Sequence, residues 1–329
     1  MRQDDCVVVA VPVLNEEHFI EACLTSLVDQ LPAGSTILVL DGGSTDRTVE
    51  LVERLQAIYA QIRLVPNPKR IQSAAMNLAA RIAPENATIL IRADAHAIYP
   101  PNFIATCIAA MRDNGATSVV VPMRTVGQTT MQRAIAAAQN SLIGNGGSAH
   151  RTGRQSGFVD HGHHAAFDRA FFLRIGGYDE SFTHNEDAEF DHRAIANGGR
   201  IWMSADAPVT YFPRGTLGAL ARQYQNHGRG RARTFLKHRT RPKLRQVLPV
   251  LALIGNCSAV VLSFWYPLAL LIPLAYLGLC ALAAVRTAIH YRDPALIASG
   301  AAAATMHHSW AAGFLGEFLT RLRRPDTGA

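Results

Sequence analysis

Between Arg245 and Arg286 the sequence has no charged residue in 40 consecutive positions, and from 207 to 292 it has no Asp or Glu at all. The first absence excludes an ordinary soluble helix pair, which keeps charges on its outer face. The second confines the positive charge. Residues 207–292 carry 12 Lys and Arg, whereas 1–206 carry 17 against 22 Asp and Glu, and 293–329 balance 3 against 3. The net charge of +7 therefore belongs to one stretch, and without interleaved stacking aromatics it gives no reason to expect a nucleic-acid partner. Cysteine is scarce: Cys6, Cys23, Cys107, Cys257 and Cys280 stand singly, without CxxC spacing, and read as small core residues in a reducing cytoplasm. Neither GxxxxGK[ST] nor GxGxxG occurs, which argues against a P-loop triphosphatase and a dinucleotide enzyme. No signal peptide is read at the start, where Met1 to Cys6 is polar and acidic and the short apolar run to Val13 meets a proline. With 329 residues, 49% hydrophobic and 17% charged, disorder is excluded and one large domain with an appendage is expected.

At a rise of 1.5 Å per residue, 40 helical residues measure about 60 Å, twice the roughly 30 Å of a hydrocarbon core. Two spans fit, with a turn at Trp265, Tyr266 and Pro267. Arg239, Arg241, Lys243 and Arg245 precede this hairpin, and Arg286 and Arg292 follow it, so both ends are expected on the cytoplasmic side. A third apolar segment, Ala295 to Leu319, is Ala- and Gly-rich with Met306, His307 and His308 in mid-run, and is followed by Arg321, Arg323 and Arg324. It reads as an interfacial or re-entrant helix, or as a third span.

Residues 1–206 alternate short apolar runs with amphipathic ones. Strands are expected at Cys6–Val11, Thr36–Leu40, Gln61–Val65, Thr88–Arg92 and Ser118–Val121, and helices around Phe19–Val28, Thr48–Leu55 and Ser73–Ile82. The βαβαβαβ order means an α/β domain with a mainly parallel, Rossmann-like sheet. Ligands then bind beyond the carboxyl ends of the strands, where Pro12 to Glu16, Asp41 to Asp46 and Ala93 to His96 fall.

Four runs, VVVAVPVLNEEHFIEACLTSLVDQ, ILVLDGGSTDRTVELV, ILIRADAH and GGYDESFTHNEDAEFDHR, occur in the order and spacing of the family 2 glycosyltransferases. The chain resembles that family over roughly residues 6–235. Any one run is a weak signal, and four in order are a strong one. The segments DAHAIYPPNF and RQYQNHGRGRAR and the apolar hairpin most resemble the bacterial enzymes of succinoglycan-type exopolysaccharide assembly. The resemblance implies a GT-A fold, a nucleotide-diphosphate sugar donor and a C-terminal membrane-associated region. The expected division is a catalytic domain over 1–215, basic interfacial helices over 216–246, a transmembrane hairpin over 247–286, and an interfacial, re-entrant or third membrane helix with a basic tail over 287–329.

Asp41 is placed to accept a hydrogen bond from a uracil imide, with Pro12 and Glu16 framing base and ribose; otherwise Asp41 merely starts the Gly42-Gly43 turn. Arg70 would approach the diphosphate, or stay solvated. Asp94 and His96 stand where the family has DxD, whose carboxylates hold ribose and a divalent cation. The histidine tilts the metal from Mg²⁺ toward Mn²⁺, because imidazole suits the softer ion; the alternative is His96 bonding the diphosphate without a metal. Among Asp160, His161, His163 and His164, clustered on what reads as a turn around Gly162, His164 is the candidate for the metal shell or acceptor; otherwise the cluster is a structural loop. Asn185 would cap a helix opening with Glu186 and Asp187. By resemblance Asp187 is the general base of a single inverting displacement, with Glu186 or Glu189 as alternatives. The family's QxxRW motif is altered here: Gln223 is followed by neither the arginine nor the tryptophan, and Arg229 or Arg231 would substitute. The nine cations from Arg222 to Arg245 would hold anionic membrane lipid or a lipid-linked pyrophosphate.

The expected protein is a metal-dependent transferase at the bacterial inner membrane, its catalytic domain facing the cytoplasm. It would move a hexose, glucose from UDP-glucose, onto a polyprenyl-pyrophosphate-linked saccharide. A polyprenyl-phosphate sugar synthase and an inactive nucleotide-sugar-binding membrane partner are the other readings.

Overall fold

The computed structural model describes residues 6–147 and 155–323. The polar start before Cys6 and Arg324 of the basic tail lie outside the described residues. The chain divides into two compact units, Met1–Arg124 with Ala149–Tyr211, and Thr125–Ser148 with Phe212–Ala329.

The first unit holds β1 (Cys6–Val13), α1 (Ile20–Val28), β2 (Thr36–Asp41), α2 (Thr48–Ile58), β3 (Ile62–Pro66), α3 (Gln72–Ile82), β4 (Ala87–Arg92), β5 (Ala97–Ile98), α4 (Phe103–Asp113) and β6 (Ser118–Val121). A short strand, β7 (Met123–Thr125), ends this first part. After α5 (Thr130–Asn140) and α6 (Leu142–Asn145), which belong to the second unit, the first unit resumes. It continues with β8 (Gly157–Val159), β9 (His163–Asp168), α7 (Arg169–Arg174), α8 (Glu186–Ala196), β10 (Ile201–Met203) and β11 (Val209–Tyr211).

Eight strands form one sheet in the order β3-β2-β1-β4-β9-β6-β10-β8, and β5-β11-β7 form a small second one. β1, β2, β3 and β4 pair in parallel, as does β10 with β6. β9 inserts antiparallel between β4 and β6, and β8 is antiparallel on the edge. Six of the eight strands run the same way, so the sheet is mainly parallel as expected, and β9 and β8 are its two antiparallel strands. The five expected strands and three expected helices are all present.

β1 reads as one apolar run because both its faces are covered. Val7, Val9, Val11 and Val13 pack with Ile20, Leu24 and Leu27 of α1 on one side, and Cys6, Val8 and Ala10 pack with Ala75, Met76 and Ala79 of α3 on the other. Each such valine or leucine, fully removed from water, contributes about 1.5–3 kcal/mol. The alanines of α3 let that helix lie close on the strands whose ends build the site.

The second unit is helical, with α9 (Leu217–His238), α10 (Leu244–Leu262), α11 (Leu271–Tyr291) and α12 (Ser299–Arg323) following α5 and α6. Residues 125–147, expected within a catalytic domain reaching 215, therefore group with the C-terminal helices, and Ile135 and Ala138 of α5 share a core with Leu220, Ala302 and Met306. Two helical stretches among the described residues, Leu244–Leu262 and Pro267–Tyr291, are long and apolar enough to cross a membrane. They turn at Trp265 and Tyr266, both largely exposed, as do Phe264 and Leu268 beside them. α12 is one uninterrupted helix. It meets α9 backbone to backbone: a Cβ on Gly228 would stand 2.0 Å from the Trp310 carbonyl oxygen, and one on Gly313 2.0 Å from that of Gln225. Polar contacts tie it to the hairpin. Asn256 Nδ2 donates to His308 Nε2 at 3.0 Å, and Tyr276 Oη to His307 Nδ1 at 2.9 Å.

Candidate active site

Parallel pairing sets Val13 opposite Asp41 and Asp41 opposite Pro66, so the loops leaving β1, β2 and β3 share one rim of the first unit. Pro12, opposite Leu40, is half-buried at that rim. The first two loops are laced together. Asn15, left-handed with φ 57, donates its N–H to Ser44 Oγ at 3.0 Å and accepts from the Thr45 N–H at 2.8 Å. The Glu16 N–H donates to Thr48 Oγ1 at 2.7 Å, and the Glu17 N–H to Asp46 Oδ2 at 3.1 Å.

Asp41 closes its own turn, accepting from the Gly43 N–H at 2.9 Å, the Ser44 N–H at 3.0 Å and Ser44 Oγ at 2.6 Å. The turn role exists, and it fixes a half-exposed carboxylate whose Oδ1 takes both Ser44 donors. Arg70 joins this loop. Its N–H donates to the Asn67 carbonyl at 3.0 Å, the Asn67 N–H donates to that of Asp41 at 2.7 Å, and a Cβ on Gly43 would come within 2.6 Å of Arg70 Nη2.

Beyond β4, Asp94 Oδ1 accepts from Arg92 Nε at 3.2 Å and Gln72 Nε2 at 3.0 Å, and Oδ2 lies 3.7 Å from His163 Nε2. Burial pushes the Asp94 carboxyl up, but Arg92, His163 and His96 together outweigh it and hold the group ionised, well below the ordinary carboxylate range. His96 Nδ1 stands 3.1 Å from Glu16 Oε1, and its ring meets Tyr211 edge-on at 5.3 Å. Glu16, expected beside the base, is thus also the partner of His96.

α8 brings Glu186 and Asp187 to Arg92. Asp187 Oδ1 accepts from Arg92 Nη1 and from Tyr178 Oη, both at 2.5 Å, while Oδ2 has no hydrogen bond among the described residues. Burial raises the Asp187 pKa, but Arg92, His164, His163 and the Tyr178 hydrogen bond bring it below its usual value. Glu186 goes the other way: burial, then the charge of Asp187, pushes it up to about 7, Arg92 Nη1 being 3.8 Å away. Asn185 stands at the cap position in a left-handed conformation, φ 63, without a side-chain capping bond to the helix. Glu189 is fully buried in an ion pair with Arg193 at 2.7 Å, which removes it as a base.

His164 corrects the reading of the histidine cluster. It is completely buried, stacked on Phe167, with Nε2 2.6 Å from Asp191 Oδ1, and His161 Nδ1 is 2.6 Å from the other oxygen of that carboxylate. Successive residues of a strand face opposite sides, so the histidine at Asp94 is His163. Gln223 and Arg229 belong to the second unit, on α9.

Arg92 and Tyr178 were not singled out from the sequence. A signal was there: an arginine following the buried apolar run Ile89 to Ile91 at a strand end must find carboxylates inside the fold.

The donor set decides whether the rim suits a divalent cation. Among the described residues no three His, Cys, Asp or Glu side chains gather into a cage for one. Asp94 supplies an ionised carboxylate. With Nδ1–H given to Glu16, His96 has its lone pair on Nε2, the pattern of a ligating imidazole steadied by an outer carboxylate. One carboxylate and one imidazole fit an ion that takes the rest of its shell from diphosphate and water.

The chain is similar to known proteins. The chain is 43% identical over 319 residues, 96% of both chains, to the succinoglycan biosynthesis protein ExoA of Rhizobium meliloti (strain 1021). It is 25% identical over 230 residues, 67% of this chain and 71% of the other, to the dolichyl N-acetyl-alpha-D-glucosaminyl phosphate 3-beta-D-2,3-diacetamido-2,3-dideoxy-beta-D-glucuronosyltransferase of Methanococcus voltae. The mannosyltransferase PcManGT from Pyrobaculum calidifontis, solved in complex with GDP-Man and Mn²⁺, shares the GT-A fold at a TM-score of 0.59 and 21% identity, over 96% of this chain and 87% of its own. The family model described as Glycosyl transferase family 2 matches residues 8–176, and the chain belongs to that family.

Proposed function

We propose that this glycosyltransferase works in exopolysaccharide assembly at the cytoplasmic face of a bacterial inner membrane. It moves a hexose, glucose from UDP-glucose, onto a polyprenyl-pyrophosphate-linked saccharide with inversion. Kinship to the succinoglycan protein over nearly the full length of both chains supports the pathway, and the Methanococcus voltae relative, named for a dolichyl-phosphate-linked sugar, supports a lipid-linked acceptor. The observation that carries the chemistry is the pair of carboxylates on one buried guanidinium, Asp94 on its Nε and Asp187 on its Nη1.

In this reading Asp41 accepts a hydrogen bond from the uracil imide, Pro12 and Glu16 border the base and ribose, and Arg70 meets the diphosphate. A divalent cation at Asp94 and His96 would neutralise the departing diphosphate, with Mn²⁺ favoured over Mg²⁺ by the imidazole. Asp187, held by Oδ1, offers Oδ2 to the acceptor hydroxyl. The acceptor oxygen attacks the anomeric carbon while the bond from that carbon to the diphosphate oxygen breaks. The hydroxyl proton passes to Asp187, and UDP leaves from the opposite face. A depressed pKa makes Asp187 a modest base, sufficient when the leaving group is already stabilised, and worth about 10²- to 10⁴-fold. The nine cations from Arg222 to Arg245 hold anionic headgroups or the carrier pyrophosphate, at about 1 kcal/mol per cation near the surface.

The test is UDP release by protein-bearing membranes across a panel of UDP-sugars, with a defined polyprenyl-pyrophosphate saccharide as acceptor. An extended lipid-linked glycan is expected. A sugar monophosphate ester as product would make the protein a polyprenyl-phosphate sugar synthase, and UDP binding without turnover of any donor would make it an inactive partner.

A further inference from the structure

Arg92 is the last residue of β4, 6% exposed, and stands opposite Ala10 in the sheet. Its guanidinium faces three carboxylates and a phenol: Asp94 at 3.2 Å from Nε, and, from Nη1, Asp187 at 2.5 Å, Tyr178 Oη at 3.3 Å and Glu186 at 3.8 Å. Asp94 and Asp187 are 93 residues apart in the chain and arrive on different elements, a loop after β4 and the first turn of α8. Both are ionised, so neither can donate to the other, and the fork of Arg92 fixes their separation.

We propose that Arg92 is a positioning residue that sets the donor-side carboxylate and the base against each other. The proposal rests on the functional reading above. Packing alone does not call for an arginine here, since an apolar side chain at a strand end costs less than a buried cation. The fork geometry does call for it: a guanidinium holds two carboxylates from different nitrogens in a fixed plane, whereas an ammonium is a single point on a flexible stem. Each partner has a second anchor, Gln72 Nε2 at 3.0 Å for Asp94 and Tyr178 Oη at 2.5 Å for Asp187. Each carboxylate is thereby gripped from two sides, with Arg92 the group common to both.

The assignment makes a split that simple loss of packing does not. Asp187→Asn should lower kcat and leave UDP affinity in place, Gln72→Ala should loosen Asp94 and weaken UDP binding, and Tyr178→Phe should lower kcat alone. Arg92→Lys, which keeps the charge and loses the fork, should do both, with kcat down at least about 10-fold and UDP affinity down at least about 5-fold. The experiment measures UDP binding by calorimetry, kcat with saturating donor and lipid-linked acceptor, and the thermal midpoint, on the full-length protein in detergent or nanodiscs. Arg92→Lys that folds and keeps both wild-type values overturns the proposal, as does a loss confined to one of the two. If neither Arg92→Lys nor Arg92→Gln folds, Arg92 is a scaffold charge and the proposal falls. Wild-type protein that neither binds UDP nor transfers sugar overturns the functional reading itself, which an unchanged Arg92→Lys in an active background does not.

Discussion

Arg92 Nη1 lies 2.5 Å from Asp187 Oδ1, and Tyr178 Oη lies at the same distance from the same oxygen, so the carboxylate is fixed by one atom while Oδ2 has no hydrogen bond among the described residues. A group held this way loses little entropy on meeting an acceptor hydroxyl. Asp187→Asn preserves the shape and the contact to Tyr178 but removes the basic lone pair. Transfer should fall about 10²- to 10⁴-fold, while UDP affinity stays within about twofold. Single-turnover transfer and calorimetry check this pair of outcomes, and near-normal turnover would show that Asp187 is not the base.

Glu186 carries a pH dependence whose sign is opposite to that of most carboxylates. Burial and the neighbouring Asp187 raise it from 4.5 to about 7 in the folded protein. Between those values the native Glu186 holds a proton that the unfolded chain has released, so its contribution to stability is full below pH 4.5 and falls as the pH rises toward 7. Above 7 the accumulated loss is on the order of 3 kcal/mol at most. Glu186→Gln removes this titration. Its thermal midpoint should match wild type near pH 4.5 and exceed it by several degrees at pH 8. Calorimetric scans at both values decide, and an equal difference at the two would assign the effect to packing.

The legible parts of the fold were those written in local pattern. β1 was legible because both its faces are covered, and α3 because its alanines recur on the strand side. The loops after β1, β2 and β4 were legible as a site because strand ends in such sheets converge. The strand β9 was not, since HHAAFD shows neither a long apolar run nor a clean alternation, and from spacing alone His163 and His164 are equivalent. Only the register against β6, which sets Val121 beside His163, sends one imidazole to Asp94 and the other to Asp191. The partners of Arg92 were illegible for a related reason: Asp187 stands 95 residues further on. The grouping of residues 125–147 with the C-terminal helices was hidden too. The capping box of Thr129 and Gln132 announces a helix start and says nothing of which helices α5 joins.

Gly43 tests whether the loop after β2 sets up Arg70. Its φ of 83 suits glycine, and a methyl group there would press on the Arg70 guanidinium, 2.6 Å from Nη2. Gly43→Ala should cost about 1–2 kcal/mol of stability for the left-handed backbone and weaken UDP binding several-fold as Arg70 is displaced. Arg70→Ala should weaken UDP binding to a similar degree with no change in thermal midpoint. UDP affinity unchanged in both variants would remove Arg70 from the donor site.

The hairpin makes a prediction about sidedness. α10 measures about 28 Å at 1.5 Å per residue, close to a hydrocarbon core of about 30 Å, and its leading edge carries Arg239, Arg241, Lys243 and Arg245. Phe264, Trp265 and Tyr266 at the turn are all at least 70% exposed, as suits rings seated at a headgroup interface. If α10 and the following stretch to Tyr291 are two spans, the turn lies across the membrane from both basic ends. With Cys257 replaced by Ser, Tyr266→Cys in sealed inverted vesicles should resist an impermeant maleimide until detergent is added, whereas Thr240→Cys should react at once. Equal labelling of the two before detergent would mean that the hairpin lies on or dips into one leaflet. The aromatic turn would then be a same-side anchor, and the positive charge would be attracting lipid headgroups without setting a transmembrane orientation.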